Sequence, residues 1–174
     1  DPIERFLNRV GSLPNSQVHA YAIVAFVSGI ASLFAWSFGL IVGGLIAKFV
    51  AIGCQKKSIK VHYPLIVASA YSGYVIWHMG YSSSAALFVA SENHSLIDKI
   101  GILPVTETIF SSFNIFMALA TLLTITILAP LMRPKDSKTI IEIDAKKLFK
   151  KEEKGIKRIS SVAEAIENNR KISF

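Results

Sequence analysis

Acidic residues are almost absent from the first half of this chain, which restricts the class of protein. No Asp or Glu lies between Glu4 and Glu92. Residues 18–54 carry a single formal charge, and residues 63–91 and 113–132 carry none. A water-soluble protein would have to bury all three runs while showing almost no polar face. The composition therefore predicts an all-α, polytopic membrane protein.

Cysteine and metal-ligand patterns are also scarce. The only cysteine, Cys54, excludes an internal disulfide. The four histidines show no spacing typical of a metal site. We therefore expect no metal or cofactor apart from a coupling ion, Na⁺ or H⁺, bound where a helix is broken.

The net charge of +7 is unevenly distributed. Basic residues flank the apolar runs, and residues 133–174 hold 12 Lys or Arg against 7 Asp or Glu. The stretch 91–112 has more acidic than basic residues. This is the pattern of the positive-inside rule, so nucleic-acid binding is not expected. Residues 133–174 are predicted to be a basic cytoplasmic linker, and residues 91–112 to lie outside.

The first apolar run is too long for one simple span. Residues 1–17 form an amphipathic lead-in, and the 37 residues of 18–54 exceed the roughly 20 that one crossing needs. Glycines cluster near the middle, in "FAWSFGLIVGG". Two interpretations remain open: a re-entrant hairpin, which the basic residues at both ends favour, or a long tilted broken helix. Irregular backbone at membrane depth must pack in protein or line a cavity. The tip therefore contributes these candidate site residues: Trp36, Ser37, Phe38 and Gly39.

The second apolar run, 63–90, also has an interruption. The stretch "WHMGYSSS" predicts a discontinuous helix, with Tyr63–Trp77 and Ser84–Ala90 separated by an unwound piece. By contrast, residues 113–132 have the length of one simple span. In the linker, Ser161 and Glu164 have the spacing of a capping box.

Two breaks that meet near the bilayer midplane are typical of inverted-repeat secondary transporters. Unwound carbonyls can bind Na⁺, and hydroxyls or helix N-termini can bind an anion. The candidate residues at the second break are Trp77, His78, Gly80, Ser82, Ser83 and Ser84. Two alternatives remain open: the serines only mediate helix packing, or His78 is neutral and hydrogen-bonded to a nearby carbonyl.

Catalysis is not expected. His78 and the serines lie four to six residues apart, and no acid between residues 5 and 91 could orient the histidine. The same lack of carboxylates favours Na⁺ over H⁺ as the coupling ion.

At these motifs the chain resembles the short-chain fatty acid transporter family. The resemblance rests on these stretches, in order: "AWSFGLIVGGLIAK", "YPLIVASAYSGYVIWHMGYSSSAAL", "GILPVTETIFSSFNIF", "LMRPK" and "IEIDAKKL". It implies a multi-pass bacterial inner-membrane protein that takes up acetoacetate- or butyrate-type carboxylates. It further implies that this chain is a middle piece, the end of the first half plus the central linker, whose partners are the bilayer and the second half of the same polypeptide. A homo-oligomer is left open.

The resemblance carries over a defined set of residues: Trp36, Phe38, Gly39, Trp77, Gly80, Ser82 and Ser84. Five positions depart from the family pattern: Ala35, Ser37, Met79, Ser83 and Ala86. An Asn is replaced by Ala35, which removes an amide that could bind an ion or substrate. The alternatives are a dicarboxylate or other organic-anion carrier and, from another class, a membrane scaffold or sensor acting through the basic tail.

Overall fold

The computed structural model describes the backbone of residues 2–143 and the side chains of residues 5–143. The predicted capping box and the rest of the linker from residue 144 lie outside the described residues. Over the described range the fold is helical and contains no strand. The helices are α1 (Pro2–Gly11), α2 (Gln17–Phe34), α3 (Trp36–Lys56), α4 (Tyr63–Ser72), α5 (Ser84–Val89), α6 (Ile97–Ile100) and α7 (Ser112–Leu131). Two 3₁₀ segments, Gly73–Met79 and Ser137–Thr139, complete the list.

The first apolar run folds as two helices packed antiparallel. Ala35, with φ −157° and ψ 141°, is the extended residue between α2 and α3. Two turns into α3, a Cβ on Gly43 would lie only 2.7 Å from Ser28 Oγ of the facing helix. At the far end, Lys57 Nζ donates to the carbonyl of Pro14 at 3.0 Å. The chain therefore reverses direction at Ala35, as the hairpin interpretation expects.

Three described helices are long and apolar enough to cross a membrane: α2, α3 and α7. The 18 residues of α2 span about 27 Å, close to the roughly 30 Å hydrocarbon core of a bilayer. Both helices of the hairpin, α2 and α3, are therefore long enough to cross the hydrocarbon core of a bilayer. The re-entrant arrangement and the depth of the tip stay predictions.

The second apolar run is more irregular than expected. The predicted α-helix over Tyr63–Trp77 ends at Ser72, and Gly73–Met79 continues as a 3₁₀ helix. The 3₁₀ segment begins at a close contact with α2, where a Cβ on Gly73 would lie 2.5 Å from the backbone nitrogen of Gly29. After a turn, α5 covers Ser84–Val89.

Together, α4 and the 3₁₀ segment run parallel to α2 for its whole length. Ten α-helical residues at about 1.5 Å and seven 3₁₀ residues at about 2.0 Å give roughly 29 Å. The register is set by hydrogen bonds to α2 at both ends and in the middle: His62 N–H to Tyr21 Oη, Ser28 Oγ to the Ala70 carbonyl, and Tyr81 N–H to the Leu33 carbonyl.

Helix α7 returns antiparallel to α2. Its first turn is capped by Ser111, whose hydroxyl accepts from the N–H of Asn114 at 3.3 Å. Further along, a Cβ on Gly29 would lie 2.6 Å from Leu122 Cδ1. A small apolar cluster of Ile76, Ala118 and Leu122 joins α7 to the 3₁₀ segment. The larger core lies among α1 to α4.

The two ends of this helix bundle differ in charge. The end near Lys57 carries the basic loop between α3 and α4. The opposite end carries the two breaks and the segment 84–111, which contains three acids and one lysine. This is the distribution that the positive-inside rule associates with a cytoplasmic basic end.

Candidate functional site

The two breaks meet at one end of the long helices. The N–H of Tyr81 donates to the carbonyl of Leu33 at 2.7 Å, and the N–H of Trp36 donates to Ser82 Oγ at 3.2 Å. Helix ends leave N–H and carbonyl groups without intrahelical partners. Here each break supplies partners for the groups that the other exposes. The breaks therefore form one joint, defined by Leu33, Trp36, Tyr81 and Ser82.

Close backbone contact requires glycine beside this joint. A Cβ on Gly80 would collide with the carbonyl oxygen of Leu33 and lie 2.5 Å from its Cα. Similarly, a Cβ on Gly39 would overlap Ser32 of the facing helix. Both glycines are buried. Because glycine has no side chain, the backbone at each of these positions can come close to α2.

Three backbone carbonyls at the two breaks already accept hydrogen bonds. The carbonyl of Met79 accepts from Asn114 Nδ2 at 2.8 Å, and that of Trp77 accepts from the N–H of Gly80 at 3.0 Å. The carbonyl of Leu33 is engaged by Tyr81. A Na⁺ ion at the joint would have to compete with these bonds.

A cavity of about 400 Å³ opens beside the second break, and we call it the polar cavity. It brings together two predicted residues, His78 and Ser83, with polar residues that sequence reasoning missed: Glu107, Thr108, Ser111 and Asn114. The missed residues follow the second run in sequence, so only the return of α7 places them here. Their signals were weak: an acid in the outer stretch and one amide in an uncharged apolar run.

His78 lies at the end of an aromatic row. Its ring centroid is 3.6 Å from that of Trp77, and Trp77 stacks on Tyr74 at 5.9 Å. Side chains three residues apart eclipse in a 3₁₀ helix, which accounts for the stacking of Tyr74 and Trp77. The histidine is exposed and lines the polar cavity. It can therefore reach a solute that enters there.

The other predicted site residues are distributed around the joint. Ser37, Phe38 and Ser84 are exposed, and Trp36 is half exposed. Ser83 is buried, and its N–H donates to the carbonyl of Gly80 at 3.1 Å. Ser82 accepts from Trp36 and keeps one O–H hydrogen to donate elsewhere. Within residues 2–143, no group of three His, Cys, Asp or Glu residues could hold a metal ion.

A second cavity, of about 430 Å³, lies between α2, the 3₁₀ segment and α7. Its walls are almost entirely apolar and include Leu33, Met79, Ile115, Ala118 and Leu119. We call it the apolar cavity. Ile109 and Asn114 line both cavities. Sequence reasoning did not predict this cavity.

Comparison with known proteins assigns the family. The family model described as "Short chain fatty acid transporter" matches residues 1–174. Two curated relatives are each named "Putative short-chain fatty acid transporter". The relative from Escherichia coli (strain K12) is 32% identical over 148 residues, which is 85% of this chain and 32% of that protein. The relative from Haemophilus influenzae (strain ATCC 51907 / DSM 11121 / KW20 / Rd) is 29% identical over 181 residues, 99% of this chain and 39% of that protein.

The chain thus spans between about a third and two fifths of the length of these curated relatives. No solved structure matches it. The resemblance found in the two helix breaks therefore agrees with a match over the whole chain. This chain belongs to the short-chain fatty acid transporter family.

Proposed function

We propose that the full protein is a secondary transporter that takes up short-chain fatty acids across the bacterial inner membrane. Membership of the family supports transport, and the names of the two curated relatives state their substrate class, short-chain fatty acids. The observation that carries the proposal for this chain is the joint of two broken helices beside a cavity containing His78. Helix breaks are where secondary transporters bind their substrates.

The substrate carboxylate binds in the polar cavity. His78 can donate a hydrogen bond from its ring, and Ser83 contributes a hydroxyl. The predicted site residues Ser82 and Trp36 hold the joint in place next to this cavity.

The coupling ion in this proposal is H⁺. The preference for Na⁺ rested on the absence of a carboxylate near the breaks, and Glu107 contributes one to the polar cavity. Carbonyls at the breaks accept hydrogen bonds from Tyr81, Asn114 and Gly80, so a Na⁺ ion would have to displace them. A carboxylate and a histidine in one cavity are groups that can carry a proton during a transport cycle.

The described helices belong to the first half of the transport machinery. Inverted-repeat transporters place their sites between two repeats, and this chain spans well under half of its relatives' length. We therefore assign the second repeat to the remainder of the polypeptide. Transport then proceeds as the two halves move around the joint.

Uptake of labelled butyrate and acetoacetate by the full-length protein in liposomes tests the proposal. Na⁺ and H⁺ gradients are imposed separately, and we expect uptake under the inward H⁺ gradient. His78→Gln should lower uptake strongly, whereas His19→Gln, at an exposed position at the far end of α2, should not. Glu107→Gln, with Glu92→Gln as its control, should weaken the response to the H⁺ gradient. No uptake of any short carboxylate under either gradient would overturn the proposed function.

A further inference from the structure

The apolar cavity lies between α2, the 3₁₀ segment and α7, together with the residues just before α7. Its volume of about 430 Å³ falls in the range of roughly 300–1,000 Å³ typical of small-molecule sites. Small residues create the space, since Gly80 lacks a side chain and Ala118 is a buried alanine in α7. The cavity shares no residue with the candidate site predicted from the sequence except Gly80.

Asn114 stands at the boundary between the two cavities. Its amide Nδ2 donates to the carbonyls of Met79 and Ile109, each at 2.8 Å. Both amide hydrogens are thereby used, so the side chain is held in one orientation. The polar and apolar cavities therefore adjoin at a fixed residue that lines both.

A short-chain fatty acid has the same division of polarity as this pair of cavities. One end is a carboxylate, and the other is an aliphatic chain of a few carbons. We propose that the apolar cavity binds the alkyl chain of the substrate, while the carboxylate stays in the polar cavity, and that its size sets the preferred chain length. This inference rests on the proposed function.

The alkyl chain gains free energy by leaving water. Each buried methylene corresponds to about a fourfold gain in affinity. Residues that narrow or widen the apolar cavity should therefore change the ratio of transport between long and short substrates. A residue that affects only the joint or the polar cavity should change transport of all chain lengths together.

Two substitutions change the cavity in opposite directions. Leu119→Trp fills it from a position that is 56% exposed, so folding should tolerate the larger ring. Ile115→Ala widens it. The matched control is Leu123→Trp, one turn further along α7, where the leucine is 58% exposed and lies outside the cavity lining.

The measurement is uptake of acetate, butyrate and hexanoate by the full-length variants in liposomes, expressed as kcat/KM relative to acetate. Leu119→Trp should lower the values for butyrate and hexanoate, relative to acetate, by about fourfold per excluded methylene. Ile115→Ala should raise hexanoate relative to butyrate, and Leu123→Trp should keep the wild-type profile.

The outcomes separate this inference from the proposed function. If the wild type transports carboxylates but both cavity variants keep its chain-length profile, the alkyl-chain site is wrong and transport stands. If Leu119→Trp responds instead to the acyl length of the liposome lipid, the cavity holds a lipid tail, which also overturns the inference. If the wild type transports no carboxylate, the proposed function fails, and this inference fails with it.

Discussion

The N–H of Tyr81 donates to the carbonyl of Leu33 at 2.7 Å, across a separation of 48 residues. Leu33 is one residue from the end of α2, where helix carbonyls lack intrahelical donors. Tyr81 lies in the turn after the 3₁₀ segment. This hydrogen bond connects the hairpin tip to the interrupted helix, and the first two predictions below follow from this connection.

Gly80→Ala should displace the turn from Leu33. The new Cβ would meet backbone atoms, which cannot rotate away as a side chain can. Overpacking of this kind costs about 1–3 kcal/mol. We expect a lower melting temperature in detergent and a large loss of uptake. Gly44→Ala is the control, because its Cβ would meet nothing within 4 Å. Equal stability of the two variants would show that the backbones are not in close contact.

Ser82→Ala should weaken the joint without changing its packing. The substitution leaves the N–H of Trp36, at the start of α3, without its hydroxyl acceptor. Loss of a capping hydroxyl costs about 0.5–2 kcal/mol. Faster hydrogen exchange of the Trp36 amide is the direct measurement, and Ser82→Thr should restore protection. Ser84→Ala, two residues away at an exposed position, should leave that exchange rate unchanged. An equal increase in the Ser84→Ala variant would argue against a specific hydrogen bond between Trp36 and Ser82.

Asn114→Leu should release the end of the 3₁₀ segment. Leucine has a similar size but cannot donate to the carbonyls of Met79 and Ile109. Leaving a buried acceptor unsatisfied costs about 1–3 kcal/mol. A cysteine introduced at Met79 should then react faster with a water-soluble maleimide in the Asn114→Leu variant than in the protein that retains Asn114. Thr124→Val removes an exposed hydroxyl on the same helix and should not change the rate. An unchanged rate in Asn114→Leu would contradict the role assigned to the amide.

Lys57→Met should destabilise the basic end of the hairpin more than Lys56→Met. Lys57 Nζ donates to the carbonyls of Ser12 and Pro14 and to Asn15 Oδ1. Hydrogen bonds to charged groups contribute about 1.5–3 kcal/mol. Because both variants lose one positive charge, their topology signals change equally. In thermal unfolding in detergent, Lys57→Met should have the lower melting temperature. Identical melting temperatures would mean that the hydrogen bonds of Lys57 do not stabilise the fold and that only its charge matters.

The helical fold class and the position of the breaks could be predicted because apolar runs and glycine clusters are local signals. The extended residue Ala35 lies inside "FAWSFGLIVGG", and the turn after Met79 lies inside "WHMGYSSS". The 3₁₀ form of Gly73–Met79 could not be predicted in this way. The segment starts where Gly73 meets Gly29 of α2, and no local sequence pattern reports such a contact between helices.

The site was only partly predictable for the same reason. His78 and Ser83 were identified because polar residues in an apolar run are costly and therefore informative. Glu107 and Asn114 come from segments whose own composition is ordinary, a polar loop and the first turn of a simple span. Their importance arises only when α7 packs against the 3₁₀ segment. The apolar cavity is a space between helices, for which a single sequence carries no signal.

The winding of Gly73–Met79 has a mechanical consequence. Seven residues rise about 14 Å as a 3₁₀ helix and about 10.5 Å as an α-helix. Rewinding this segment into an α-helix would retract Gly80 by about 3.5 Å, more than a hydrogen bond can stretch. The bonds from Tyr81 to Leu33 and from Trp36 to Ser82 would then break together. A change of pitch in two turns of helix would therefore release the hairpin from the turn beside the polar cavity.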